Sequence, residues 1–310
     1  MNYQNQKINF YQKRTSGENI SATFDFLKGN WRPILRLCLY ILLPFSIIQG
    51  VVMNNVTSAA VDAAVHPPLT FTSLEGISPS VLINYILMAI FYMVGQSVLT
   101  AIVYTVMQKY HNSEKLEKYP LSDIKDDFIS FIKQCFILMF YIMIISAGYF
   151  FVVGSLAYLF PLLLIAIIPG TIFLIIPLTL IFPAYIFGEG IGANKALKQA
   201  FRLGVSTWGS LFLLIIVLGI ISGIIRTVTS LPWSIVLVTK SVLGSLNTHV
   251  AVSNSVLMDF GMYILATIEV FGTYLAGIFI FTGAAFHYFS ALEAKDSVSV
   301  NDDIDNFEQL

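Results

Sequence analysis

The sequence predicts an all-α integral membrane protein of six transmembrane helices, with two or three cytoplasmic interfacial amphipathic helices and a weak internal repeat. Three observations predict it. Of 310 residues, 56% are hydrophobic and only 11% charged, against about 25% charged in an ordinary soluble domain, and mean hydropathy is +0.78. Six apolar stretches reach the roughly 20 residues that a helix needs to cross about 30 Å of hydrocarbon. The lysines and arginines gather between alternate stretches.

Residues 1–17 form a polar N-terminal segment, 18–290 the transmembrane domain and 291–310 an acidic tail. The first span is expected at 34–55. "VTSAAVDAA" after it has the small residues of a signal-peptide cleavage site, but the long polar leader and near-full crossing length favour a retained helix. The second span lies at 81–107. Residues 134–187 are almost unbroken apolar sequence, too long for one crossing. A turn near Gly154 to Pro161, rather than at Pro169-Gly170, leaves arms at 134–153 and 161–187, with Pro169, Pro177 and Pro183 as kinks inside the fourth span. The fifth span lies at 209–229 and the sixth at 257–289, long enough to tilt.

Charge orients these crossings, because short Lys/Arg-rich loops stay cytoplasmic. Lys7, Lys13, Arg14, Lys28, Arg32 and Arg36 precede the first span. Lys109, Lys115, Lys118, Lys125 and Lys133 follow the second, Lys195, Lys198 and Arg202 follow the fourth, and Lys295 follows the sixth. Only Arg226 and Lys240 of the 17 basic residues fall on the other side. Both termini are thereby expected in the cytoplasm, in a cell inner (plasma) membrane. Cys38 and Cys135 then lie on the same reducing side, which argues against a disulfide framework.

The repeat is carried by "FDFLKGNW" (24–31) and "FRLGVSTW" (201–208), each running straight into a span. Ile20, Phe24, Leu27 and Trp31 share one helical face opposite Glu18, Asp25 and Lys28, and Leu197, Phe201, Gly204 and Trp208 repeat that spacing. "DIKDDFISFIKQC" before the third span is a third, weaker copy. Gly29 and Gly204 are expected to end the lying helices, with Asn30, or Ser206 and Thr207, capping the next ones. Trp31 and Trp208 would anchor the corners at headgroup level, and Trp233 a short outer-leaflet helix in 230–256. Lys28, Arg32, Asn194, Lys195, Lys198 and Arg202 are candidate lipid-headgroup contacts, each cation attracting an anionic inner leaflet by about 1 kcal/mol. Whether the apolar faces meet lipid or the cytoplasmic floor of the bundle is not decided by amphipathicity.

"FPAYIFGEGIGANKALKQAFRLGVSTWGSLFLLIIVLGII" resembles the multi-pass membrane domain associated with bacterial glycerophosphoryl diester phosphodiesterases and related uncharacterised integral membrane families. Pro183, Glu189-Gly190, Ala196-Leu197, Ala200-Phe201, Leu203 and Trp208 fall in the places of that pattern. The resemblance covers about forty residues and implies a six-helix membrane domain of unassigned role. It does not bring the catalytic barrel, for which no extramembrane segment here has enough residues.

Other motifs read as structure. "GEGIGA" (188–193) satisfies a dinucleotide fingerprint but follows a membrane helix rather than a strand, so it is a turn. His66, His111, His249 and His287 are scattered, with no zinc or hydrolase pattern; no catalytic residue, cofactor or metal is assigned. A net charge of −1 gives no pull toward nucleic acid. Gly219 and Gly223, with Gly272 and Ala276, suit close packing within the chain, a homodimer being the alternative.

Glu269 is the one acid well inside a span, where an ionised carboxylate costs about 2.5–3.5 kcal/mol. It is either a proton or ligand site, paired with Arg226 or another polar group, or interhelical glue. Few other polar side chains fall deep in the spans, chiefly Asn84, Gln96 and Thr179. The sequence therefore favours a non-enzymatic membrane-organising, assembly or accessory protein whose partners are lipids and another membrane protein. The second reading is a transporter of a small solute or lipid-linked molecule that uses Glu269.

Overall fold

The computed structural model describes residues 7–65, 79–112, 121–188, 190–245 and 256–297. Among the described residues all regular structure is helical: α1 Ser16–Leu37, α2 Leu43–Val65, α3 Pro79–Asn112, α4 Leu121–Leu159, α5 Leu164–Leu178, α6 Ile181–Phe187, α7 Ala193–Ser206, α8 Trp208–Ser245 and α9 Val256–Asp296. Six stretches are long and apolar enough to cross a membrane: Ser16–Thr57, Leu82–Asn112, Lys125–Leu159, Pro161–Phe187, Trp208–Lys240 and Phe260–Asp296. The chain is thus a multi-pass membrane protein by length and composition of its helices.

Proline explains most of the irregularities. Pro44 has no N–H for the carbonyl of Tyr40, and the helix slips into a π-helical turn over Cys38–Leu42, closed by the Leu43 N–H on the Cys38 carbonyl. Ser46 Oγ donates to the Leu42 carbonyl at 2.7 Å. The turn between the third and fourth spans lies at Phe160, followed by a 3₁₀ turn, Pro161–Leu163. The fourth span is broken rather than merely kinked. Pro183 cannot donate to Thr179, so α5 ends in tight bonds, Thr179 N–H to Ile176 O at 3.2 Å and Leu180 N–H to Pro177 O at 3.1 Å, before α6 begins.

Two expected corners are absent. α1 passes through Gly29 without a break, and α4 runs from Leu121 straight through its lying segment into the span. Asn30 does not cap a new helix: its amide donates to the Phe26 carbonyl, 3.0 Å away, within α1. The buried face of α1 carries Asn19, Thr23, Phe26 and Asn30, whereas Phe24 and Trp31 face outward, 38% and 52% exposed. Thr23 Oγ also bonds back to its own helix, at Asn19 O, 2.7 Å. Such back-bonding satisfies short polar groups internally, which admits them to an apolar interior.

A helix break at Thr207 does exist, between α7 and α8, but Gly204 does not make it. Gly204 lies inside α7 against α5, where a Cβ would approach Pro177 Cα to 2.7 Å. Ser206 and Thr207 hydroxyls donate to the Leu203 carbonyl at 2.8 and 2.9 Å, finishing α7 rather than capping α8. The 230–245 segment is the continuation of α8, not a separate helix. α9 reaches Asp296, past residue 290 where the sequence suggests the tail begins; the tail's remaining acids lie outside the described residues.

The chain divides into two compact units. One comprises Met1–Ile34, Thr100–Ile220 and Ile278–Leu310; the other comprises Leu35–Leu99 and Ile221–Gly277. The first is centred on aromatic rings. Phe26, Tyr104 and Phe286 are fully buried, and Phe187 packs at 5.2 Å from Tyr104 and 5.0 Å from Phe289, centroid to centroid. The leader belongs to this core: Phe10, 1% exposed, stacks 4.9 Å from His111 and meets Phe286 edge-on at 5.3 Å. The second unit mixes Leu42, Leu99, Met262 and Ala266 with buried polar groups.

Candidate functional site

The second unit is built on glycine contacts. A Cβ at Gly50 would meet Thr267 N at 3.0 Å, one at Gly95 would overlap the Tyr274 hydroxyl at 1.8 Å, and one at Gly272 would meet Thr229 Cβ at 2.4 Å. α2, α3, α8 and α9 therefore approach within a side chain's width, close enough for polar groups to reach across. Tyr274 donates to Gln49 Oε1 at 2.5 Å, Trp233 Nε1 to Asn54 Oδ1 at 3.4 Å, and Ser222 Oγ to the Ala276 carbonyl at 2.8 Å. Gln96 and Ser97 are buried alongside on α3.

Glu269 lies on α9 between Thr267, which faces Gly50, and Gly272, which faces Thr229. It is 6% exposed, and its Oε2 has no hydrogen-bonding partner. Neither the Lys109–Asp127 pair at 2.7 Å nor the Arg202–Asp296 pair at 2.5 Å involves Arg226, whose charge reaches Glu269 without a contact. A buried carboxyl oxygen without a partner is a costly group. It can accept a proton, a cation or an N–H donor.

Family models, curated proteins and solved structures offer no match to this chain.

The sequence-assigned residues are distributed as follows. Lys28 and Arg32 are exposed on α1, the Arg32 guanidinium 5.6 Å over the Trp31 ring. Lys195 and Lys198 are exposed on α7. Asn194, beside them, accepts a hydrogen bond from Tyr141. Arg202 is held by both Asp296 oxygens, at 3.1 and 2.5 Å, which satisfies it within the chain. Trp233 differs from the expected interfacial anchor: it is 8% exposed, its ring inside the second unit. Gly219 and Gly223 also differ from the expected packing face, since nothing lies within 4 Å of a Cβ at either.

Trp208 has a role that its sequence position does not reveal. It stacks on Phe173 at 5.5 Å and on Phe212 at 4.9 Å, and its indole N–H donates to the Phe173 carbonyl at 3.3 Å. That carbonyl is the one Pro177, four residues on, cannot serve. Cys38 and Cys135 are buried free thiols, and among the described residues no three His, Cys, Asp or Glu side chains gather as metal ligands. Gly190 turns the chain with φ of 63°; Glu189, His66 and His249 lie outside the described residues.

Sequence reasoning undercounted the buried polar groups. Ser46, Gln49, Asn54, Ser97 and Ser222 all lie inside the second unit. The signal was there in "FSIIQGVVMNN", where Ser46, Gln49 and Asn54 recur at spacings of three to five residues and share a helical face.

Proposed function

We propose that this protein is a non-catalytic inner-membrane assembly or accessory factor, with both termini cytoplasmic, acting through helix and lipid contacts. The observation that carries the reading is the third span. Only 6% of its most apolar stretch is buried within the chain, against 39–50% for the first, second and sixth spans. Ile137, Ile144 and Phe151 are 56%, 57% and 78% exposed. Beyond the face that buries Cys135 and Leu138 and bonds Thr171 through Tyr149, a helix so apolar and so lightly held by its own chain offers most of its surface to lipid or to a partner helix. Lys28, Arg32, Lys195 and Lys198 supply cations for anionic headgroups.

The test is photo-crosslinking in cells from an unnatural amino acid placed at Ile137, Ile144 or Phe151, with Leu213 and Ile220 on α8 as controls. A discrete protein adduct from the α4 positions and none from α8 is the expected result. Adducts to lipid alone from every position would refute the partner reading. The unpartnered Oε2 of Glu269 favours a second reading, a transporter of a small solute or lipid-linked molecule, in which that oxygen takes part in binding.

A further inference from the structure

A cleft of about 490 Å³ opens in the first unit where α8 begins, lined among others by Lys13, Arg14, Gly209, Ser210, His287 and Ser290. No acidic side chain lines it among the described residues. We propose that this cleft binds a phosphate-type oxyanion, independently of any partner at α4.

Three features converge. The first is charge: Lys13 is exposed at the rim and Arg14 half-buried behind it. The Arg14 fork is fixed on its own segment, one nitrogen on the carbonyls of Phe10 at 3.1 Å and Gln12 at 3.4 Å and the other on Asn9 O and Gln12 Oε1, and its backbone N–H is tied to Ser290 Oγ at 2.8 Å. Burial holds this guanidinium below its ordinary pKa, with the Glu18 charge opposing that shift. Glu18 itself is turned to the Thr15 backbone and hydroxyl, at 2.7 and 3.0 Å.

The second feature is the start of α8. The Leu211 N–H makes the first bond of this helix, to Thr207 O at 2.9 Å, which leaves the amides of Trp208, Gly209 and Ser210 ahead of the ladder. The residues that ordinarily cap such amides are committed elsewhere, since Ser206 and Thr207 both serve Leu203 O. α8 is 38 residues long, so its N-terminal partial charge is fully developed.

The third is a polar wall held in place. His287, 2% exposed, is fixed between Thr207 Oγ1 at 2.9 Å and Asn19 Nδ2 at 3.5 Å, and Ser210 Oγ pairs with Ser16 Oγ at 2.7 Å. The hydroxyls are spent on partners within the chain, so the donors for a tetrahedral oxyanion are the Lys13 ammonium and the amides opening α8, with Arg14 contributing its charge. The group arrives either as free inorganic phosphate or as the headgroup of an acidic phospholipid.

Gly209→Asp separates binding from folding. Nothing lies within 4 Å of a Cβ at Gly209, and an acid in the first turn of a helix is favourable to it. The variant is expected to keep or raise the thermal midpoint while placing a negative charge in the cleft. Lys13→Gln, at an exposed position, removes one cation without touching the core.

Full-length protein in phosphatidylcholine nanodiscs is titrated with inorganic phosphate by calorimetry. In parallel, protein from nanodiscs containing phosphatidylcholine and phosphatidic acid is analysed by native mass spectrometry for retained phosphatidic acid. Binding is expected to weaken about fivefold in Lys13→Gln and at least about tenfold in Gly209→Asp, about the weight of one lost and one opposed charge. Calorimetric binding identifies free phosphate as the source, and retention of phosphatidic acid alone identifies the lipid headgroup. A parent that binds neither, or variants that bind as tightly as the parent, would overturn the proposal.

Discussion

At the scale of single residues, Glu269 stands apart from the other buried polar groups of the second unit because they have ways of satisfying themselves. Ser46 bonds back into its own helix, and Gln49 and Asn54 accept from Tyr274 and Trp233. Hydropathy alone hides such groups: a serine one turn from its own acceptor disturbs the apolar pattern little, which is why Glu269 was legible in the sequence and most of its neighbours were not. Glu269→Gln preserves shape and removes the ionisable oxygen. The expected outcome is a stability change under about 1 kcal/mol, since the parent oxygen has no bond to lose, together with loss of whatever small molecule co-purifies. A variant that retains that molecule and the parent's activity would leave Glu269 a structural residue.

At the scale of elements, the contrast between the two Gly–Trp segments is instructive. "FRLGVSTW" breaks its helix and "FDFLKGNW" does not, although their spacing is similar. The difference lies in what surrounds them. α7 ends with two hydroxyls on Leu203 O and with Trp208 pinned to α5, whereas Asn30 and Thr23 turn inward and carry α1 onward. Local sequence announces that a break is possible; the contact that makes it real, Trp208 on the carbonyl orphaned by Pro177, comes from an element 35 residues away. Trp208→Phe keeps the stacking on Phe173 and Phe212 but removes the donor. Thermal unfolding in detergent is expected to register a loss of about 0.5–1.5 kcal/mol, and Trp208→Ala a larger one. A phenylalanine variant as stable as the parent would show that the indole N–H contributes nothing.

At the scale of the whole molecule, six crossings follow from length and apolarity, and the helices bear out that count. Orientation rests on charge alone: with 15 of 17 basic residues assigned to one side, alkaline phosphatase and green fluorescent protein fusions should place both ends of the chain in the cytoplasm. Fusions reporting opposite compartments would remove an entire crossing from the scheme. The leader was not legible as structure, because a polar segment with one phenylalanine has no period to read. Its Phe10 nonetheless occupies a pocket furnished by Tyr110, His111, Phe286 and Phe289, and Arg14 is tied to Ser290 across 276 residues of chain. During synthesis, therefore, the leader has to wait for α9, made some 276 residues after it. Docking of the leader can only follow the emergence of α9, and a chain cut ahead of Phe286 leaves Phe10 and Arg14 without the partners that hold them.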